Sequence, residues 1–481
     1  MKRRTFLQSA AALAATPALA PFARAAELPS IPAPAPHSFP PGFVWGTATA
    51  AYQVEGAVHA DGRGPSIWDT FAHTPGKTWH GETADVTDDF YHRYPEDVAS
   101  MRRLGVRGFR FSIAWTRVFP DGTGAPNPKG LDFYKRLLDS LQSAGIDPYC
   151  TLFHWDLPQA LQDKGGWTSR ATSQAFADYA GYVAGQLSDR ITNWMTINEF
   201  DSFIDAGYAD GESAPGLRLP RAQVMQARHY AVLAHGLGVQ AIRAAAKRPV
   251  QVGLAEDVSG AMPAIEDPAH IRAAEQALRE INAQYITVIL EGRYTDRYLR
   301  NLGPDAPHFT SEDLKIISSP IDFLGINVYT TQEVLPADEP DGFTIVPRPA
   351  SYPHASSDWL YFNPQALYWT PKLVSEIWGV KKIYITENGY SSDDVLTPDG
   401  AVLDSDRVLY LRNYLTQLQR GVAEGIPVRG YFLWSILDNY EWASGFSKRF
   451  GITYVDFQTE KRTPKLSYHF YQEVIRRNGV V

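Results

Sequence analysis

Short apolar runs rich in β-branched and aromatic residues alternate along this chain with longer stretches whose apolar positions recur at helical spacing. Residues 43–53, 106–115, 147–155, 193–199, 250–255, 322–330, 382–389 and 428–437 read as strands with their exits. Residues 91–104, 131–144, 172–187, 221–245, 271–290, 371–378 and 405–423 read as the helices that follow, and a last helix over 466–477 closes the chain. In the segment 131–144, Leu131, Tyr134, Leu137, Leu138 and Leu141 share one face and Gly145 supplies the stop. Strand-then-helix, eight times over, predicts an α/β fold built as a single (β/α)8 TIM barrel. Two connections, 206–220 and 335–369, are rich in Pro, Gly and aromatic residues, and in such a barrel they belong to loops at its mouth.

The alternation does not begin at residue 1. Arg3 and Arg4 precede a mild apolar run at 10–20, and Ala23-Arg24-Ala25 has the form of a cleavage site. Pro17 and Pro21 argue against a helix there, and the run is too short to span a membrane. Residues 1–25 therefore read as a twin-arginine signal peptide, which implies a periplasmic or secreted protein. Six prolines between Glu27 and Pro41 make 26–38 an extended spacer, and 39–481 the folded body. The net charge of −8, with no basic stripe, excludes a nucleic-acid partner. Cys150, the one cysteine, cannot form an internal disulfide and reads as a small buried hydrophobe. Oligomeric state is not legible.

The chemistry concentrates where strands end. The seventh strand stops in Thr386-Glu387-Asn388-Gly389, and the fourth in Ile197-Asn198-Glu199. Barrel enzymes place their chemistry at the C-terminal strand edge, so these two glutamates face one mouth. A pair of carboxyl groups so placed suits acid/base or nucleophilic work on a glycosidic bond. Other polar and aromatic residues gather at the same edge: Gln53, Arg110, His154, Asn198, Asn327, Tyr329, Trp434 and Glu441. Gln, Asn and His can bridge sugar hydroxyls as donors or acceptors, and Trp offers a flat face to a pyranose. There is no histidine pair at metal spacing, no cysteine cluster and no glycine-rich phosphate loop.

Seven motifs occur in order: Ala51-Tyr-Gln-Val-Glu-Gly56, Arg110-Phe-Ser-Ile-Ala-Trp115, Thr151-Leu-Phe-His-Trp-Asp-Leu-Pro158, Asn198-Glu199, Phe323-Leu-Gly-Ile-Asn-Val-Tyr329, Ile385-Thr-Glu-Asn-Gly389 and Trp434-Ser-Ile-Leu-Asp-Asn-Tyr-Glu-Trp442. From about Phe39 to about Tyr468 the chain resembles the β-glucosidases of glycoside hydrolase family 1. The resemblance implies a retaining β-glycosidase that needs no cofactor and acts on a terminal non-reducing glucosyl unit of a small β-glycoside or oligosaccharide, with galactosyl or fucosyl as alternatives. It implies Glu387 as nucleophile and Glu199 as acid/base. It further implies Gln53, His154, Asn198, Tyr329, Trp434, Glu441 and Trp442 as sugar-binding groups. Arg110 and Tyr329 would hold Glu387 ionised and lower its pKa, while the charge of Glu387 would raise that of Glu199.

Three positions depart from the family pattern. Phe200 follows Glu199 where proline is usual, and Val328 replaces an aromatic residue before Tyr329. Around 358–364 the usual Gly-Trp-Glu is missing, leaving Trp359 as the candidate substitute for its tryptophan. Two other readings compete. A 6-phospho-β-glycosidase would carry Ser for Glu441 and a tyrosine near Lys448, where this chain has Phe450. A sugar-binding barrel without catalysis would have no need of both carboxylates together with Arg110 and Tyr329.

Overall fold

The computed structural model describes residues 38–258, 260–338 and 342–481. The twin-arginine segment and most of the proline-rich spacer lie outside the described residues. The eight barrel strands are β1 (Val44–Ala48), β2 (Gly108–Ser112), β3 (Asp147–Phe153), β4 (Asn193–Asn198), β5 (Gln251–Asp257), β6 (Leu324–Asn327), β7 (Ile383–Asn388) and β8 (Val428–Trp434). All pair in parallel, each with its neighbour in sequence, and β8 closes onto β1 with Val44 opposite Gly430 and Ala48 opposite Trp434. The expected (β/α)8 barrel is the observed fold. Every residue of β2, β6 and β7 is buried, as strands covered on both faces must be, which explains their continuous apolar runs.

The connecting helices follow the expected physics. Pro128 opens the helix Pro128–Ala144 at its first turn, where its missing N–H costs nothing, and Gly145 ends it with a left-handed φ of 72°. Elsewhere the boundaries shift. β5 continues to Asp257 rather than stopping at Ala255, so two acidic residues join a strand end. The single helix expected over 271–290 is broken: Pro268–Ile281 ends at Asn282, whose side chain donates to the Leu278 carbonyl, and a π-helical turn Ala283–Thr287 intervenes before Val288–Glu291. The helix expected from 371 begins at Ala366 and runs through Pro371, because burial of Leu367, Trp369, Leu373 and Val374 outweighs proline's penalty. The stretch 335–369 is not all loop: Phe343–Ile345 pairs with Thr331–Pro336, which pairs with Gly260–Pro263 in a small sheet outside the barrel.

At the mouth, the exits of β7 and β8 touch through backbone. A Cβ on Gly389 would sit 1.7 Å from the carbonyl oxygen of Trp434, so only glycine fits two residues after Glu387. Among the described residues no helix is long and apolar enough to cross a membrane.

Candidate active site

A cavity of about 470 Å³ opens at the C-terminal ends of the strands. Glu199, Glu387, His154, Tyr329, Glu441 and the rings of Trp434 and Trp442 line it. Arg110, Asn198 and Gln53 are fully buried and stand behind the wall, supporting the residues that form it. Every residue expected from the sequence is thus at one end of the barrel, in two tiers.

Glu387 sits in the last turn of β7, with Oε1 against the Arg110 guanidinium and Oε2 accepting from the Tyr329 hydroxyl at 2.8 Å. Arg110 crosses the barrel from β2, donating also to the Asn198 side chain of β4 and, at 3.2 Å, to Thr151 Oγ1 of β3. Tyr329 is fixed by its own carbonyl, which accepts from the Tyr414 hydroxyl at 2.8 Å and from Tyr410 at 3.2 Å. The expectation that these partners hold Glu387 below its ordinary pKa is not met. Burial raises it by more than Arg110, Tyr329 and Asn327 together lower it.

Glu199 ends β4 with φ 45°, a left-handed conformation uncommon for a residue with a side chain. Its Oε1 accepts from Asn327 Nδ2 at 2.6 Å and its Oε2 from Ser202 Oγ at 3.1 Å. Burial is the main reason its pKa lies well above the carboxylate range; the charges of Glu387 and then Asp257 add to it. Among the described residues Glu199 has no cation beside it, whereas Glu387 has Arg110. The two groups therefore differ in the expected sense, Glu387 being the one to ionise and Glu199 the one to keep a proton. Asn327 Nδ2 also donates to Asn198 Oδ1 at 3.0 Å, which ties Glu199 to the network around Arg110. Thr386 Oγ1 donates to Asn327 Oδ1 at 2.7 Å and so fixes which way the amide points.

On the opposite wall, Gln53 Nε2 donates to Asn439 Oδ1 at 3.1 Å, to the Tyr440 carbonyl at 3.0 Å and to Glu441 Oε2 at 3.3 Å. Among the described residues its Oε1 has no partner, nor has His154 Nδ1. Burial, reinforced by Arg110, lowers the His154 pKa far enough to keep the ring neutral. Two buried polar atoms without partners are costly unless something else bonds them, and sugar hydroxyls would. Burial and the charge of Glu387 push Glu441 up to about 8, so at pH 7 it is mainly the acid and can donate as well as accept. The rings of Trp434 and Trp442 run nearly parallel to that of His154, at 5.8 and 5.9 Å.

The outer half of the cavity holds what the sequence left open. Trp359 is half-exposed and meets Tyr329 edge-on at 5.4 Å, which places it on the cavity's rim. Ser202, Glu212, Ser213 and Asp257 also line the cavity and were not anticipated. The polar pair Glu256-Asp257 closing an apolar strand was the signal for the last of these. Lys448, the one residue in favour of a phosphate site, donates to the Ser356 carbonyl. Among the described residues no cluster of His, Cys, Asp and Glu could hold a metal ion.

Comparison with known proteins agrees with this geometry. Residues 35–480 match the model of glycosyl hydrolase family 1. Beta-glucosidase A of Acetivibrio thermocellus is 42% identical over 92% of this chain and 99% of its own. A bifunctional beta-D-glucosidase/beta-D-fucosidase of Bifidobacterium breve is 41% identical over 91% of this chain and 98% of its own. The beta-glucosidase from Thermotoga maritima, solved in complex with castanospermine, superposes with a TM-score of 0.85 at 40% identity, over 92% of this chain and all of that one. The chain belongs to glycosyl hydrolase family 1.

Proposed function

We propose that the protein is a retaining β-glucosidase in which Glu387 attacks the anomeric carbon and Glu199 is acid and then base. The observation that carries this is the unequal pair at the ends of β4 and β7: one carboxyl against a guanidinium, the other bonded to Asn327 and, among the described residues, without a cation. A retaining mechanism needs its carboxyl groups about 5–5.5 Å apart and facing one cavity, and Glu199 and Glu387 line the same one. Attack by Glu387 gives a glycosyl ester while Glu199 protonates the departing oxygen. Glu199, then ionised, takes a proton from the water that cleaves the ester. Proton NMR of the first product should show the β-anomer before mutarotation; an α-anomer would remove both assignments.

The glycone is a terminal glucosyl unit, and the glucosidase/fucosidase relative supports tolerance at its outer positions. Gln53, His154 and Glu441 hold its hydroxyls, and Trp434 and Trp442 its faces. Glu441→Ser removes about two hydrogen bonds and should lower kcat/KM on aryl β-glucosides by about 10–100-fold. The native enzyme should also turn over glucosides faster than 6-phosphoglucosides, because Glu441 offers a phosphate no positive charge and Lys448 already donates to the Ser356 carbonyl.

The protein is exported folded by the twin-arginine route to the periplasm or beyond. Arg3, Arg4 and Ala23-Arg24-Ala25 support this, as does a body with one buried cysteine and no disulfide to form. Replacing Arg3 and Arg4 by lysine should keep the activity in the cytoplasm; undiminished periplasmic activity would contradict the route.

A further inference from the structure

The backbone after Glu199 is held by a buried carboxyl group that the reaction does not use. The Phe200 N–H donates to Glu256 Oε2 at 3.0 Å, and the preceding amide, that of Glu199, donates to the Ala255 carbonyl at 2.9 Å. Consecutive residues of β5 thus grip consecutive amides at the left-handed turn that carries Glu199. Such a conformation persists only where its surroundings determine it. Glu256 is 1% exposed and Phe200 fully buried, so no solvent can replace the bond. From its other side the turn is packed by Tyr285, whose ring stacks on Phe200 at 5.2 Å and whose hydroxyl donates to Asp205 Oδ2 at 2.7 Å.

The geometry points to Glu256 as a positioning residue that aims Glu199 at the leaving-group oxygen by holding the Phe200 amide. It acts through an acceptor oxygen, so a neutral acid or an amide would serve as well as a carboxylate. The inference rests on the proposed role of Glu199, and the test separates the two.

Three variants decide it: Glu256→Leu, Glu256→Met and Glu256→Gln. Leucine and methionine remove the acceptor oxygen, and glutamine keeps it. A misaimed acid should lower kcat/KM of Glu256→Leu for aryl glucosides with poor leaving groups by about 10–100-fold. For 2,4-dinitrophenyl glucoside, which needs little protonation, kcat/KM should change by less than about threefold. On that substrate kcat and KM should fall together as the ester accumulates, and azide should restore kcat. Glu256→Gln should stay near native, and Glu256→Met should show the same leaving-group signature as Glu256→Leu. Equal losses for all leaving groups, or equal behaviour of the glutamine variant and the two apolar ones, would each overturn the inference. Should Glu256→Leu not fold, Glu256→Met, closer in shape to glutamate, decides against Glu256→Gln. Glu199→Ala, measured alongside, must itself show the signature; if it does not, the assignment of Glu199 fails, whatever Glu256 does.

Discussion

Glu387→Ala is expected to lose hydrolysis of every β-glycoside, activated or not, by roughly 10⁴–10⁶-fold, the scale on which removal of a covalent nucleophile is felt. The cause is chemical rather than electrostatic: without the carboxylate no ester can form, and a good leaving group cannot substitute for an attacking atom. The variant should still fold, because Arg110 keeps the Asn198 side chain, Thr151 and the Thr386 carbonyl as partners. It should still bind sugar through Gln53, His154 and Glu441. Loss of the Glu387 charge also removes one of the influences that raise the Glu199 pKa, so Glu199 should titrate at lower pH than in the native protein. Steady-state rates across a leaving-group series, with circular dichroism as the folding check, test the first claim. Carbon-13 NMR of labelled glutamate tests the last. Substantial turnover of dinitrophenyl glucoside by clean Glu387→Ala protein would remove Glu387 from the role of nucleophile.

Glu199→Ala should fail differently. A general acid/base is worth about 10²–10⁴-fold, and that full loss should appear only where the leaving oxygen needs a proton. Activated aryl glucosides should give a burst of phenol and then a slow phase, because the ester forms but the water attacking it has no base. Azide needs no base and should restore turnover, giving the β-glycosyl azide. The pH profile offers a second readout. Native activity requires protonated Glu199, so it persists below the raised pKa and falls as pH rises through it. In Glu199→Ala that alkaline limb should disappear from kcat/KM for activated substrates. An α-azide product would mean that the residue removed is the nucleophile, and an unchanged alkaline limb would show that another group donates the proton.

Much of this site was legible before any coordinates. The strands of a parallel barrel are buried on both faces, so each announces itself as an apolar run, and its first polar residue marks the mouth. Glu199 and Glu387 were found that way, and Asn327 appeared in the same position without a role. Its role depends on orientation, which Thr386 sets from a different strand. Net pKa shifts were also illegible: charges can be counted in a sequence, but the burial that dominates both glutamates is a property of the packed barrel. The small sheet was missed for its loop-like composition, and the first turn of the helix Ala366–Trp378 because burial there overrides a proline. The cavity's outer residues come from long connections whose course no periodicity describes.

The contact between Gly389 and the Trp434 carbonyl bears on how such an enzyme can diversify. It joins the loop after Glu387 to the exit of β8 at Trp434, with no side chain between them that mutation could trim or enlarge. A substitution at 389 would displace both at once, so selection can retune neither reactivity nor glycone preference there without disturbing the other. New substrates must then be acquired from the outer side of the cavity, where Trp359, Glu212 and Ser213 stand on connecting segments free to vary one at a time. The inner half of the pocket is an inheritance, and the rim is where lineages should differ.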